Sequence, residues 1–324
     1  MSYSENMFPV GNNFSGHFRP PEPTFSPTPI DLNPYGIDVI IDPSKTSIDS
    51  FLTSGRVSPV IRDGTVIKVN GVDYITKDLS INSGHSKVYM CSENKMPYNY
   101  NKYIMKAISI SDEQEVCNFL KEAIIQIILM KYSEGIVNGP FVPIVYGVGI
   151  DRVDHALNGY KKITAYIVSQ RISGRTFEDT IRGNTEKEND IYIKNILTEI
   201  HSKLLFFKER LQFTHGDLKA DNIMYDNKNL VKFIDFGNSY LRFGNLHIKS
   251  TNKRGFFDNY IELYKNDMYM LVDTIISYNK KYLSDNLRGE LEQLRKTLTP
   301  VKKRGGARRR SKRKTAKRSR TYSK

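Results

Sequence analysis

The sequence is best interpreted outward from two polar stretches, His215-Gly216-Asp217-Leu218-Lys219-Ala220-Asp221-Asn222 and Ile234-Asp235-Phe236-Gly237. Transfer of a phosphoryl group from a magnesium nucleotide requires a carboxylate at the attacking hydroxyl, oxygen ligands for Mg²⁺ and cations on the phosphates. Asp217 has the chemistry to orient the hydroxyl and accept its proton, and Lys219 to face the transferred phosphate. Asn222 and Asp235 offer the oxygen ligands that a hard cation prefers. These residue types point to phosphoryl-transfer chemistry.

The spacing of the two stretches predicts that they meet in space. Residues 222–225 and 230–234 have the character of two short strands around a polar turn. Such a hairpin would return Asp235 to the side of Asp217 and Asn222. In isolation, Asp217 could be a turn residue and Asp235 a strand-end cap, but the joint spacing favours a common site.

The two stretches resemble the catalytic loop H-R-D-L-K-x-x-N and the D-F-G motif of protein kinases. The resemblance covers roughly the middle two thirds of the chain. It implies a bilobal α+β fold, ATP and Mg²⁺ as cofactors, Asp217 and Lys219 as catalytic residues, and Asn222 and Asp235 as metal ligands. Lys219, two residues after the aspartate, is typical of serine/threonine kinases and favours a protein substrate.

The stretch departs from that pattern at Gly216, where most protein kinases have arginine. That arginine normally clamps a phosphorylated activation loop, so its absence makes activation through Ser239, Ser250 or Thr251 doubtful. His-Gly-Asp also occurs in small-molecule phosphotransferases and in compact atypical kinases, such as RIO-like kinases and the small kinase of the tRNA threonylcarbamoyl complex. The segment after Gly237 contains no A-P-E sequence, which leaves the substrate-binding region undefined.

Residues 57–169 are expected to form the smaller, β-rich lobe. Asn70-Gly71 lies between two apolar runs and predicts a type I′ hairpin. The next run occupies the position of the glycine-rich loop of kinases, and the resemblance assigns Gly84 and Val88 to the nucleotide. When the run is aligned on Val88, the three glycines expected there fall on Ile81, Ser83 and Ser86. The loop is therefore a degenerate version of the motif.

Lys106 lies inside an apolar strand, residues 103–110, where a lone lysine is normally an edge residue that reaches water. The resemblance to protein kinases implies that Lys106 is the lysine that binds the α- and β-phosphates and pairs with a helix glutamate. Apolar residues at helical spacing follow it. Glu122 borders that apolar stripe and is the predicted partner of Lys106.

Residues 170–299 are expected to form a larger, helical lobe that is truncated relative to most kinases. Gln170 and Ile172 resemble the hinge, whose backbone groups would bind adenine. Residues 190–210 and 287–298 have helical periodicity, and Pro300 ends the second of these helices. Asp267 resembles the aspartate that hydrogen-bonds the catalytic-loop backbone, although an ordinary acidic residue at a helix N-terminus explains it equally well.

Composition limits the remaining possibilities. Two cysteines in 324 residues, Cys91 and Cys117, form no disulfide framework and favour a reducing, intracellular setting, with nuclear, cytoplasmic and virion-associated locations all open. The longest apolar run, residues 123–130, is too short to span a bilayer, so no membrane association is expected. The richness in lysine, asparagine, isoleucine and tyrosine would suit an AT-rich genome such as that of a large DNA virus.

The two ends of the chain differ from its middle. Residues 1–50, which carry eight of the thirteen prolines, are expected to be a disordered leader or a docking arm. Thirteen Lys and Arg residues and no acid fall in residues 301–324, which leaves 36 basic against 35 acidic residues elsewhere. Residues 300–324 are therefore expected to be a disordered basic tail that binds nucleic acid or another polyanion through 302–324 without sequence preference.

Taken together, the sequence predicts an α+β, protein-kinase-like chain that transfers the γ-phosphoryl group of Mg-ATP to serine or threonine hydroxyls of a protein substrate. One alternative is a nucleic-acid-associated pseudokinase that acts as an adaptor, which the degenerate glycine loop favours. Another is a small-molecule phosphotransferase, which Lys219 disfavours.

Overall fold

The architecture was obtained from a computed structural model. It describes residues 28–37, 40–42, 44, 61–83, 86–110, 113–154, 161–249 and 260–299. Gly84 and the tail 300–324 lie outside these residues, as do Ser250, Thr251 and most of the leader. Within the described residues the chain is an α+β structure in which an antiparallel sheet precedes most of the helices.

The sheet has six antiparallel strands in the order β3-β4-β5-β6-β8-β7. Its strands are β3 (Val66–Val69), β4 (Val72–Ser83), β5 (Ser86–Glu93), β6 (Tyr103–Ile110), β7 (Val145–Asp154) and β8 (Lys161–Gln170). The predicted hairpin between β3 and β4 is confirmed, since Asn70 and Gly71 have φ angles of 50° and 77°.

Helix α1 (Glu113–Glu134) follows β6 and precedes β7. After the sheet come α2 (Phe177–Gly183), α3 (Glu186–Leu211), α4 (Tyr260–Asn279) and α5 (Asp285–Leu298). A capping box between Thr185 and Glu188 begins α3, and the Ser284 hydroxyl caps α5. No helix in the described part of the chain is long and apolar enough to cross a membrane.

Two short hairpins lie between α3 and α4. The first, β9 (Ile223–Tyr225) and β10 (Val231–Phe233), is the hairpin that the sequence predicts. The second, β11 (Tyr240–Phe243) and β12 (Leu246–Lys249), was not predicted. The order of the elements, a sheet followed by helices, is consistent with a kinase-like arrangement of two lobes.

The sheet separates two hydrophobic clusters. The larger one joins α1, the helices after the sheet and part of the sheet, and the smaller one includes Tyr74, Cys91, Met105 and Val168. Side chains of a strand alternate between faces, so Met105 and Lys106 point to opposite sides of β6. Cys91 is fully buried, and burial raises the pKa of its thiol to about 12, in agreement with a role as core filler.

The expectation of a disordered leader is wrong for residues 28–37. A short pair of strands, β1 (Ile30–Asp31) and β2 (Ile40–Ile41), encloses a 3-10 turn at Asn33–Tyr35. Leu32, Tyr35 and Ile37 belong to the larger hydrophobic cluster. The prolines in residues 1–50 dominate the composition of this segment and conceal the local apolar residues that drive the burial.

Candidate functional site

The structure brings Lys106, Glu122 and Asp235 together. The Lys106 ammonium lies 2.6 Å from Glu122 Oε1 and 2.9 Å from Asp235 Oδ1. Burial would lower the pKa of Lys106, but the two carboxylates outweigh that effect and raise it. Burial likewise opposes ionisation of Asp235, yet Lys106 holds the pKa of that carboxyl below its usual value. The lysine is therefore a permanent cation between two acids that come from different elements.

The register of the sheet places Val88 beside Lys106. Val88 in β5 and Ile167 in β8 are the direct cross-strand partners of Lys106, so all three side chains share one face of the sheet. Val88 is half-buried on this face, and Ile167 is buried. The pairing places an apolar surface next to the cation. A nucleotide would require both, the apolar surface for its base and the cation for its phosphates.

The residues of the loop 215–222 are joined to Asp235 through backbone contacts. Asn222 donates its amide Nδ2 to the carbonyl of Asp217 at 2.8 Å, and its own carbonyl accepts from Ile234 N at 3.0 Å. The Lys219 ammonium lies 3.4 Å from Asp217 Oδ2. The hairpin β9–β10 thus returns the chain to the loop, and Asp235 follows Ile234 directly.

Asp267 fixes the backbone of the same loop. Its carboxylate accepts from His215 N at 2.8 Å and from Gly216 N at 2.9 Å. Helix α4 begins at Tyr260, so Asp267 lies inside this helix and the helix N-terminus explanation is wrong. Burial raises the pKa of Asp267 to about 7, against the lowering effect of the two N–H donors.

His215 is a fully buried, uncharged part of this support. Its Nε2 lies 3.0 Å from the carbonyl of Ile234, so this nitrogen carries the proton and donates. Its Nδ1 has no partner among the described residues. Burial lowers the pKa of the imidazole, and its ring packs 5.4 Å from that of Phe236. His215 therefore ties the loop to the strand that leads into Asp235.

The backbone at Gly216 explains why no arginine stands there. Gly216 has a φ of 77°, and a Cβ atom on it would lie 2.2 Å from the carbonyl oxygen of Asn238. Both the left-handed conformation and the close approach require glycine. Asp235 also adopts a left-handed φ, of 64°, which is uncommon for a residue with a side chain and marks a locally constrained position.

The segment after Asp235 is more ordered than the sequence suggests. Ser239 is fully buried and donates to the carbonyl of His215 at 2.8 Å, so it is a structural residue and a poor candidate for phosphorylation. Tyr240 pairs with Thr214 on the other side of the loop. The alternation of apolar and polar residues along Leu246–Lys249, directly after Gly244-Asn245, was the signal that sequence reasoning missed.

The two predicted hinge residues differ in their available groups. Gln170 ends β8, and its N–H already donates to the carbonyl of Ile144 at 2.7 Å. The N–H of Ile172 has no partner within the described ranges, so it is free to donate to a base. Just after these residues, position 174 requires glycine, because a Cβ there would lie 1.8 Å from the carbonyl oxygen of Tyr225. Gly84, also assigned to the nucleotide, lies outside the described residues.

The donor set fits Mg²⁺. Because the Nδ2 of Asn222 is committed to the carbonyl of Asp217, the amide Oδ1 is the atom left for a metal. One oxygen of Asp235 pairs with Lys106, and its second oxygen remains. Mg²⁺ is usually held by one or two protein oxygens together with the phosphates of a nucleotide.

Comparison with known proteins gives a limited result. No protein-family model matches the chain. The chain is 22% identical over 157 residues to a probable serine/threonine-protein kinase PknB of Bifidobacterium longum, an alignment that covers 48% of this chain and 21% of that protein. The similarity is distant. The chain spans about a fifth of that relative, and the match indicates the protein-kinase superfamily at most.

Proposed function

We propose that this chain has a bilobal kinase-like fold and transfers the γ-phosphoryl group of ATP to a serine or threonine hydroxyl of a protein. The observation that carries the proposal is the linked set Lys106, Glu122 and Asp235, joined through Ile234 and Asn222 to Asp217. A structural ion pair alone would not require a second carboxylate and a braced polar loop beside it.

Each residue has a defined task in this proposal. Asp217 orients the acceptor hydroxyl and takes its proton as the bond from its oxygen to the γ-phosphorus forms and the bond to the β-phosphate oxygen breaks. Lys219, close to Asp217, balances the charge of the transferred group. Lys106 binds the α- and β-phosphates, oriented by Glu122. Asn222 and Asp235 hold Mg²⁺, which when bound neutralises phosphate charge.

The adenine would meet the hinge. Ile172 offers its free N–H, and Gln170 offers a carbonyl, while Val88 covers one face of the base. Gly84 would approach the phosphates. The choice of a protein over a small molecule rests on Lys219 in the catalytic loop.

The test is transfer of label from γ-labelled ATP, with Mg²⁺, to generic basic proteins. Asp217→Asn should lower transfer by about three to four decades, because positioning and charge stabilisation are lost together. Asp285→Asn, at a highly exposed carboxylate in α5, is the matched control and should keep wild-type activity. Equal activity in all three proteins, once contaminating kinases are excluded, would refute the enzyme function.

The basic tail supports a second, separate proposal. Thirteen Lys and Arg residues in 301–324 would release counterions from a polyanion such as nucleic acid and bind it without sequence preference. Filter binding at increasing salt should show a steep fall for the full chain and no retention for a chain that ends at Pro300. Equal retention of both chains at low salt would contradict this role. Phosphate on Ser311 or Thr315 should weaken the binding.

A further inference from the structure

The middle of helix α1, which carries Glu122, is buried on all sides. The periodicity of the sequence predicts one apolar stripe, yet Ile125 and Leu129, which lie outside that stripe, are fully buried. Every residue from 122 to 130 is buried, including Gln126. A helix packed only against the sheet would expose one face. Other parts of the chain must therefore cover α1.

The segment Ile30–Ile37 lies beside the C-terminal end of this helix. Leu32 is fully buried, and Tyr35 and Ile37 are nearly so, in the same cluster as α1. The Tyr35 hydroxyl lies close enough to the ammonium of Lys131, near the end of α1, to raise the pKa of Lys131. A cavity of about 550 Å³ lies between this segment and Lys131 and Tyr132.

The other side of the segment is fastened to the sheet. Asn70, in the turn between β3 and β4, donates its side-chain amide to the carbonyl of Pro34. Gly36 approaches β7 so closely that a Cβ on it would lie 2.6 Å from the carbonyl of Val148. The segment therefore bridges α1 and the sheet that carries Lys106.

We propose that Ile30–Ile37 is a positioning element that holds α1 at the distance from β6 at which Glu122 meets Lys106. Leu32 and Tyr35 are its positioning residues. The inference rests on the proposed function, since it gives the Lys106–Glu122 pair its role. It adds a set of residues, far in sequence from the catalytic motifs, and makes the role of this pair depend on them.

The test compares two leucines of similar burial. Leu32→Ala and Leu291→Ala, the latter in α5, each remove a buried side chain and should lower stability to a similar extent. Only Leu32→Ala should lower kcat/KM for ATP, by roughly ten- to a hundred-fold, because the lysine pair is displaced. Leu32→Met, which conserves volume, should restore most of the activity. Assays are run at a temperature where all variants are folded.

A second readout does not depend on activity. Amide hydrogen exchange in residues 113–134 should accelerate in Leu32→Ala and stay at the wild-type rate in Leu291→Ala. Equal losses of kcat/KM in the two alanine variants, or unchanged exchange in 113–134, would overturn the inference. If the wild-type chain transfers no phosphate, the proposed function fails by itself, and the exchange rates alone decide whether the segment holds α1.

Discussion

The loop 215–222 and the lysine site, Lys106 with Glu122 and Asp235, are held in place by different means. Around the loop, buried Asp267 and Ser239 bond to the backbone of His215 and Gly216, so the geometry is fixed by neutral backbone groups in a protected interior. At the lysine site, charges from β6, α1 and the start of the D-F-G motif fix one another, and Asp235 is nearly half exposed.

The difference separates stability from activity. Replacing a loop support leaves buried N–H or carbonyl groups without partners, which destabilises the fold. The charges at the lysine site can in principle be removed as a set without leaving one of them buried alone. A second substitution should therefore restore stability at the lysine site, where it removes the charge left without a partner, and should not restore it at the loop.

Among the residues that hold the two regions in place, Lys106 is expected to have the largest effect. Lys106→Met should lower transfer by about two to three decades, the loss typical of removing one group that stabilises developing charge. It should also lower stability, since buried Glu122 loses its cation. Adding Glu122→Gln should recover stability while transfer stays low. Urea unfolding and label transfer on the wild type and the two variants measure both; recovery of transfer in the double variant would contradict the assigned role.

A smaller effect is expected at the loop support. In Asp267→Asn the side-chain NH2 faces one of the two backbone N–H donors and cannot accept its hydrogen bond. This loss should lower the free energy of unfolding by about 1–3 kcal/mol. Asp273→Asn on the same helix is the control, because its pair with Arg295 is partly exposed and should contribute at most about 1 kcal/mol. Equal losses in urea unfolding would show that Asp267 is not a brace.

The smallest expected effect is a pH dependence at His215. Burial lowers the pKa of His215 from its ordinary value of 6.5. At a pH below 6.5 the unfolded chain therefore binds a proton that the folded chain does not, and stability decreases as the pH is lowered. His215→Phe removes this loss. The stability difference between wild type and His215→Phe should shrink as pH falls from 7 to 5, by up to about 1.4 kcal/mol per pH unit. A constant difference would mean that His215 is not buried and neutral.

The sequence predicted the parts of this structure that local patterns determine. Asn70-Gly71 indicated a hairpin, and the β9–β10 turn was predicted from its polar residues. The partnership of Lys106 and Glu122 came from family spacing, and the structure places the two in contact. These features depend on neighbours along the chain or on a shared motif.

The parts that were missed depend on tertiary context. Leu32 and Tyr35 lie in a proline-rich region whose average composition conceals them, and their burial follows from packing into the larger hydrophobic cluster. The need for glycine at 216 follows from the approach of the Asn238 carbonyl, which no local pattern indicates. Ser239 looked like a loop hydroxyl, and only the packed loop reveals it as buried.

The most direct test of the central claim is the Mg²⁺ dependence of ATP affinity in wild type, Asp217→Asn and Asp235→Asn, measured by calorimetry. The account assigns metal binding to Asp235 and proton acceptance to Asp217. It therefore predicts that Asp217→Asn binds Mg-ATP as tightly as wild type although its transfer of phosphate is severely lowered, and that only Asp235→Asn loses the gain in affinity that Mg²⁺ gives. Binding that ignores Mg²⁺ in the wild type, or an unchanged Mg²⁺ response in Asp235→Asn, would contradict the account.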